Sequence, residues 1–224
     1  VLAATMACGT ASGWGREGHE VIAKIAENHL QPSAKKTIEK YLGDHSIVYF
    51  AKWMDEYRHT QEYAFTSPWH TAKVDKNLEY APSGPKGDAI YGVNQAIEVL
   101  KNYKEQTDST VCVNLKYLIH LVGDMHCPMH AGRLSDRGGN GTRVSWFRSE
   151  TSLHSVWDSK MIDSARKWSY SEWVEQLDRA DRKYRKEISE GSYEDWFTET
   201  VEGAAQIYNY VESSTERVPE LSYQ

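Results

Sequence analysis

Apolar residues return every three or four positions along much of this chain, and that period belongs to the α-helix. Residues 18–30 carry Ile22, Ile25, Ala26 and His29 at helical spacing, and residues 33–42 open on a serine able to cap a first turn. Residues 49–58 read as a short amphipathic helix. The strongest repeats are Ile90, Val93, Ala96, Ile97 and Leu100 within 88–107, and Val111, Leu115, Leu118, Ile119 and Val122 within 111–124. Residues 154–162, 171–188 and 193–211 complete the helical set. Elsewhere the period fails. Residues 62–87 hold Pro68, Pro82 and Pro85 and read as an ordered surface loop, and Pro128 stops the helix before it. Residues 132–141 form a glycine-rich loop, and 143–147 alternate as a short strand or hairpin. The pattern predicts a mainly α fold: a single-domain multi-helix bundle with long ordered loops and at most a short β-hairpin.

Composition narrows the function. The 224 residues are 40% hydrophobic and 26% charged, enough for one packed core, and no run approaches the roughly 18 apolar residues of a membrane span. Lys and Arg number 26 against 32 Asp and Glu, a net charge of −6. That balance excludes a purely electrostatic nucleic-acid binder, so chemistry on phosphate needs metal ions to reverse the local sign. Residues 1–13 are small and apolar and end in Ala11-Ser12-Gly13, with small residues at the minus-three and minus-one positions of a signal-peptidase site. They read as the remnant of a secretory signal, leaving residues 14–224 as the functional domain, Trp14 as the mature N-terminus, and a secreted or periplasmic location. Cys112 and Cys127 would lie about 22 Å apart on a helix, too far to bridge.

Chemistry gathers around the histidines. His120 and Asp124 are i, i+4 on one predicted helix, and His154 and Asp158 repeat the spacing on another. One helical turn aims both donors of each pair at one point, and His130 follows just past Pro128. Such imidazole and carboxylate donors suit zinc. A single pair is more often a surface salt bridge or a core histidine than a metal site; two pairs plus His130, all in apolar helices, favour metal. Asp55 after Trp53, and His70 after Pro68-Trp69, would alone read as capping or surface residues.

Together these segments resemble a known family. Trp14-Gly15-Arg16-Glu17-Gly18-His19, Ala51-Lys52-Trp53-Met54-Asp55, Trp69-His70, the run from His120 to His130, Gly138-Gly139-Asn140 and Leu153-His154-Ser155-Val156-Trp157-Asp158 occur in the order of S1/P1-type zinc-dependent nucleases. The resemblance spans Trp14 to about Asp158. It implies a largely helical domain whose cleft holds three zinc ions. Trp14, through its amine and carbonyl, and His19 would hold one ion. Asp55, His70, His120 and Asp124 would hold or bridge to its close neighbour, and His130, His154 and Asp158 a third, more open ion. It further implies hydrolysis of single-stranded DNA or RNA to 5′-phosphorylated nucleotides, with 3′-nucleotidase activity as an addition, by a monomer without a protein partner. A water bridging the close pair would attack phosphorus in line while the third ion neutralises the departing oxygen. Arg58 matches the basic residue beside the phosphate, and Asn140 with Gly139 matches the substrate-contacting loop, so Arg58, Asp55 and Asn140 are the expected catalytic group.

The chain also departs from the family. Thr71 stands where an aromatic residue commonly follows the histidine, and Lys73 replaces a nearby acid, which leaves base preference open. Tyr63, Phe65 or Trp69 could stack a base, although core packing is the expected role of at least two of them. Cys127 takes the place of the usual glutamine and is expected to pack, with His126 supporting the ligands. Residues 14–224 are fewer than the family pattern leads one to expect, as if a final helix were missing. Zinc-dependent phospholipase C shares the trinuclear plan, but the five-residue step from Trp14 to His19 and an aspartate at 158 favour the nuclease. A non-catalytic zinc-binding protein would need neither Arg58 nor Asn140.

Overall fold

The computed structural model describes residues 14–75 and 79–223, so the expected signal remnant at residues 1–13 lies outside it. The architecture is mainly α, as the periodicity predicts. Helices α1 (Arg16–Asn28), α2 (Pro32–Leu42), α3 (Trp53–Tyr57), α4 (Ala89–Lys101) and α5 (Asp108–Met125) form the N-terminal half. After the strands come α6 (Leu153–Ser155), α7 (Met161–Ala165), α8 (Tyr170–Leu177), α9 (Arg182–Ile188) and α10 (Tyr193–Ser213).

The antiparallel pair α4 and α5 is the frame, and its ends are set by caps. Asp88 accepts from the Tyr91 N–H at 3.0 Å to start α4, and Thr107 accepts from the Thr110 N–H at 3.2 Å to start α5. Because Thr107 is an extended cap, the continuous helix expected over 88–107 stops at Lys101, and a short 3-10 turn, Tyr103–Glu105, reverses the chain. Between the two helices lies a core of Trp53, Met54, Trp69, Val93, Ala96, Tyr117 and Leu121. Gly92 lets them close: a Cβ there would meet Leu121 at 2.8 Å and Trp69 at 3.0 Å. Leu121 is fully buried. Leu121→Ala is expected to cost about 2–5 kcal/mol of stability, read by denaturant unfolding of the metal-free chain; a change within about 0.5 kcal/mol would mean this core is not the frame.

Two smaller cores pin the C-terminal helix. Phe197 and Val201 of α10 pack with Ala72, Val74, Ile90 and Met125, while Ala204, Tyr208 and Val211 pack with Met129, Val144, Leu153 and Val156. The 3-10 turn Pro128–Ala131 is thereby held from behind by α10, which fixes the direction of His130.

Three further expectations change. Residues 49–58 are not one helix but a 3-10 turn, Ile47–Phe50, followed by α3, because Ser46 caps the first turn by accepting from the Val48 N–H at 3.2 Å. Residues 171–188 divide into α8 and α9. Asp178 leaves the helical path to meet His29 at 2.6 Å and Asn28 at 3.1 Å, and Asp181 starts α9 by accepting from the Tyr184 N–H. The short hairpin is present, with β1 (Arg143–Trp146) antiparallel to β2 (Ser149–Ser152), but a two-residue strand, β3 (Glu220–Leu221), adds parallel to the other edge of β1. Two residues are too few to display alternation. Among the described residues no helix is long and apolar enough to cross a membrane, and Cys112 and Cys127 are both free thiols.

Candidate metal centre

The fold draws donors from six segments into one buried volume. The last turns of α5 supply His120 and Asp124, both fully buried, and α1 lays His19 against them with its ring stacked on His120 at 4.1 Å. Gly123 allows that approach, since a Cβ there would meet His19 Nδ1 at 3.1 Å. Asp124 is the hub: its carboxylate lies 3.2 Å from His19 Nε2, 2.9 Å from His70 Nδ1, 3.1 Å from His120 Nε2 and 3.6 Å from His130 Nδ1. Asp55, from α3, stands 3.6 Å from His70 Nδ1 and 3.8 Å from His120 Nε2. His120 is oriented by its Nδ1–H, which donates to the Ala51 carbonyl at 2.7 Å.

On the far side His130 Nε2 lies 3.8 Å from Asp158, and the rings of His130 and His154 stack at 5.5 Å. His154 donates through Nδ1 to the Gly138 carbonyl at 2.7 Å, which leaves Nε2 for the centre. The His154 and Asp158 pair is not held by a regular α-turn, as its spacing suggests. Val156–Lys160 is a wider π turn, a distortion that often accompanies functional sites. The Asp158 carbonyl accepts from the Gly15 N–H at 2.6 Å, so residue 14 is tied to the same neighbourhood, with Trp14 packed over Gly18 one residue before His19.

Three sets of buried ligand atoms lie within 4.8 Å of one another: His19, His120 and Asp124; Asp55, His70 and His120; and Cys127, His130 and Asp158. Whether they suit a metal is tested by their unmet bonding. Nε2 of His70 and of His154, both ring nitrogens of His130, and Oδ1 of Asp55 and of Asp158 are buried without a hydrogen-bond partner. His19 Nε2 and Asp124 Oδ1 face each other without hydrogen-bond alignment. A buried polar atom left unpaired costs about 1–3 kcal/mol, and so many in one place are explained by cations that accept their lone pairs. The donor set of imidazole and carboxylate fits that role.

Comparison with known proteins agrees. The S1/P1 Nuclease family model matches residues 14–224. The chain belongs to the S1/P1 nuclease family. It is 33% identical to Endonuclease 4 of Arabidopsis thaliana over 188 residues, covering 76% of this chain and 62% of that protein. It is 31% identical to Nuclease S1 of Aspergillus oryzae over 174 residues, 74% of this chain and 60% of the relative. Endonuclease 1 of Arabidopsis thaliana is 31% identical over 212 residues, with 87% and 68% covered. The chain thus spans about three-fifths of the length of the first two.

Around this S1/P1 centre the remaining expected residues fall into two groups. Arg58 ends α3 and is buried, with Nη2 3.7 Å from Asp55 Oδ1. Lys52, which the sequence reading passed over, hydrogen-bonds Asp55 from the other side; its i, i+3 spacing to Asp55 was the available signal. The second group is the glycine loop. Gly138 and Gly139 have φ of +67° and +80°, and a Cβ at Gly138 would lie 2.5 Å from the Met129 carbonyl, so both positions need glycine. Asp136 anchors the loop by accepting from the Gly139 N–H at 2.9 Å and the Thr142 hydroxyl at 2.6 Å. Asn140 donates to the Arg137 carbonyl at 2.9 Å. Lys73 donates to the Thr71 hydroxyl at 3.2 Å and runs along Gly138, joining this edge to the loop. Of the three aromatic candidates, Trp69 is buried and Tyr63 packs on the same core, whereas Phe65 is exposed.

Burial and charge shift the donors strongly. Burial pushes His19 down to about 4 and His130 to about 3, and it also lowers His70 and His154. Burial raises Asp158 to about 9, helped by Asp124 and Asp55. At Asp124 and Asp55 burial acts upward but is outweighed, chiefly by His120, and both carboxyls are held low; at His120 burial acts downward but Asp124 outweighs it. These directions predict how the metal-free chain responds to pH. The four histidines with lowered values take up protons on unfolding below the ordinary histidine value of about 6.5, so stability falls as pH drops from there. Asp158 releases its proton on unfolding and opposes them, but one group cannot outweigh four. Above about 6.5 the balance reverses, because Asp158 and His120 alone remain to titrate and their stabilisation is lost as pH rises. Denaturant unfolding with chelator present should therefore show maximum stability near pH 6.5; a steady rise to pH 9 would contradict the assignment.

Proposed function

We propose that this protein is a zinc-dependent phosphodiesterase that cleaves single-stranded DNA and RNA to 5′-phosphorylated nucleotides, with 3′-nucleotidase activity as a further capacity. The observation that carries the reading is the convergence of buried, unpaired histidine and aspartate donor atoms around Asp124 in a chain of this family. Three ions would be held by Trp14 with His19, by Asp55, His70, His120 and Asp124, and by His130, His154 and Asp158. When bound, they supply Lewis acidity, which makes water nucleophilic near neutral pH and neutralises phosphate charge.

The chain's own groups then do the positioning. Arg58, clamped beside Asp55, presents a fixed guanidinium to a phosphate and braces the charge that grows in the transition state. Gly139 and Asn140 offer a loop on which backbone can approach the nucleotide, and Lys73 with Thr71 lines its edge with a cation and a hydroxyl. Thr71 has no aromatic face, so base stacking falls to exposed Phe65, a contact that tolerates any base. Export is part of the same proposal, supported by the small apolar run ending in Ala11-Ser12-Gly13.

The test is product analysis on zinc-loaded protein with single-stranded DNA and RNA, with and without chelator. Nucleotides bearing 5′ phosphates, abolished by chelation, are the expected result. Intact nucleic acid in the presence of bound zinc would overturn the reading, and phosphatidylcholine would then be the next substrate.

A further inference from the structure

Cys127 sits where α5 gives way to the turn Pro128–Ala131, and it is completely buried. Its surroundings are not those of a packed apolar thiol. Its sulfur lies within 4.8 Å of ligand atoms of both His130 and Asp158. Both ring nitrogens of His130 and Oδ1 of Asp158 are buried without a hydrogen-bond partner. Burial and the nearby Asp158 and Asp124 carboxylates push the thiol well up, so the sulfur gives up its proton only to a bound cation. The trio expected from sequence, with His154 in place of the cysteine, does not form such a grouping among the described residues.

We propose that Cys127 is a metal ligand, so that the ion beside His130 is held by a sulfur, a nitrogen and an oxygen from Cys127, His130 and Asp158, with His154 outside that trio. The proposal rests on the metal reading above and revises it at one ion, where Cys127 enters the trio and His154 leaves it. On coordination the S–H bond breaks heterolytically: sulfur keeps the electron pair and donates it to the ion, and the proton leaves to solvent. A thiolate adds charge to the ion and so lowers its Lewis acidity. It also selects zinc over magnesium or manganese, which prefer all-oxygen donors. Neither a disulfide nor exposure competes for the thiol, because Cys112, the other described cysteine, is also free and Cys127 is inaccessible.

The experiment uses the protein beginning at Trp14 with Cys112 replaced by serine, loaded with cobalt in place of zinc. A thiolate-to-cobalt charge-transfer band in the near ultraviolet is expected from this protein, since Cys127 is then its only sulfhydryl. The band should disappear in Cys127→Ser while d–d absorption from the remaining ions persists. Because the band is read before Cys127 is touched, misfolding of that variant cannot hide the answer. Full cobalt content without the band would overturn the thiolate ligand and leave the metal reading standing. Failure to bind cobalt at all would overturn both.

Discussion

Asp124→Asn should strip the protein of metal and activity together. Asp124 is fully buried and lies within 3.6 Å of four histidines, more than any other donor described. The amide keeps the size but removes the charge that counters those imidazoles, and it offers an N–H₂ where a lone pair is needed. Removing one partner from a buried ionic group costs about 3–5 kcal/mol. At about 1.36 kcal/mol per decade, that is roughly two to four decades of metal affinity. Elemental analysis after dialysis measures the loss, and turnover should fall in proportion to metal content. Full occupancy with normal turnover would remove Asp124, and with it the hub, from the site.

Arg58→Ala should separate chemistry from metal binding. Its guanidinium is buried beside Asp55 but adds no lone pair, so metal content should stay at the level of the unaltered protein. Losing one preorganised group that stabilises developing charge typically lowers kcat about 10²–10³-fold. Arg58→Lys should recover only part of this, because an ammonium keeps the charge but not the planar fork. If Arg58→Ala instead lost metal, or kept full kcat with only a raised KM, the residue would be holding Asp55 or binding substrate uniformly.

The two variants probe different levels of legibility. His120 and Asp124 could be paired from sequence because one regular helix carries both, and within a helix spacing is geometry. His154 and Asp158 have the same spacing, yet a π turn holds them, and their orientation comes from Gly138 and Gly15, residues remote in sequence. Cys127 shows the limit most clearly. Nothing in the local pattern distinguishes a packed thiol from a ligand, and only the placement of His130 and Asp158 around it does.

Whereas the caps at Asp88 and Thr107 emerged only in the structure, the sequence by itself determined the helical class, the break at Pro128, the order of the motifs from Trp14 to Asp158, and the types of donor present. Those properties are local or compositional, so they survive without coordinates. The tertiary structure decided which donors share one buried volume, that Lys52 and Arg58 flank Asp55, that Trp69 and Tyr63 serve the core while Phe65 stays exposed, and that a third strand closes the hairpin. Each of those depends on contacts between segments far apart in the chain, where burial, and not spacing, sets the partners.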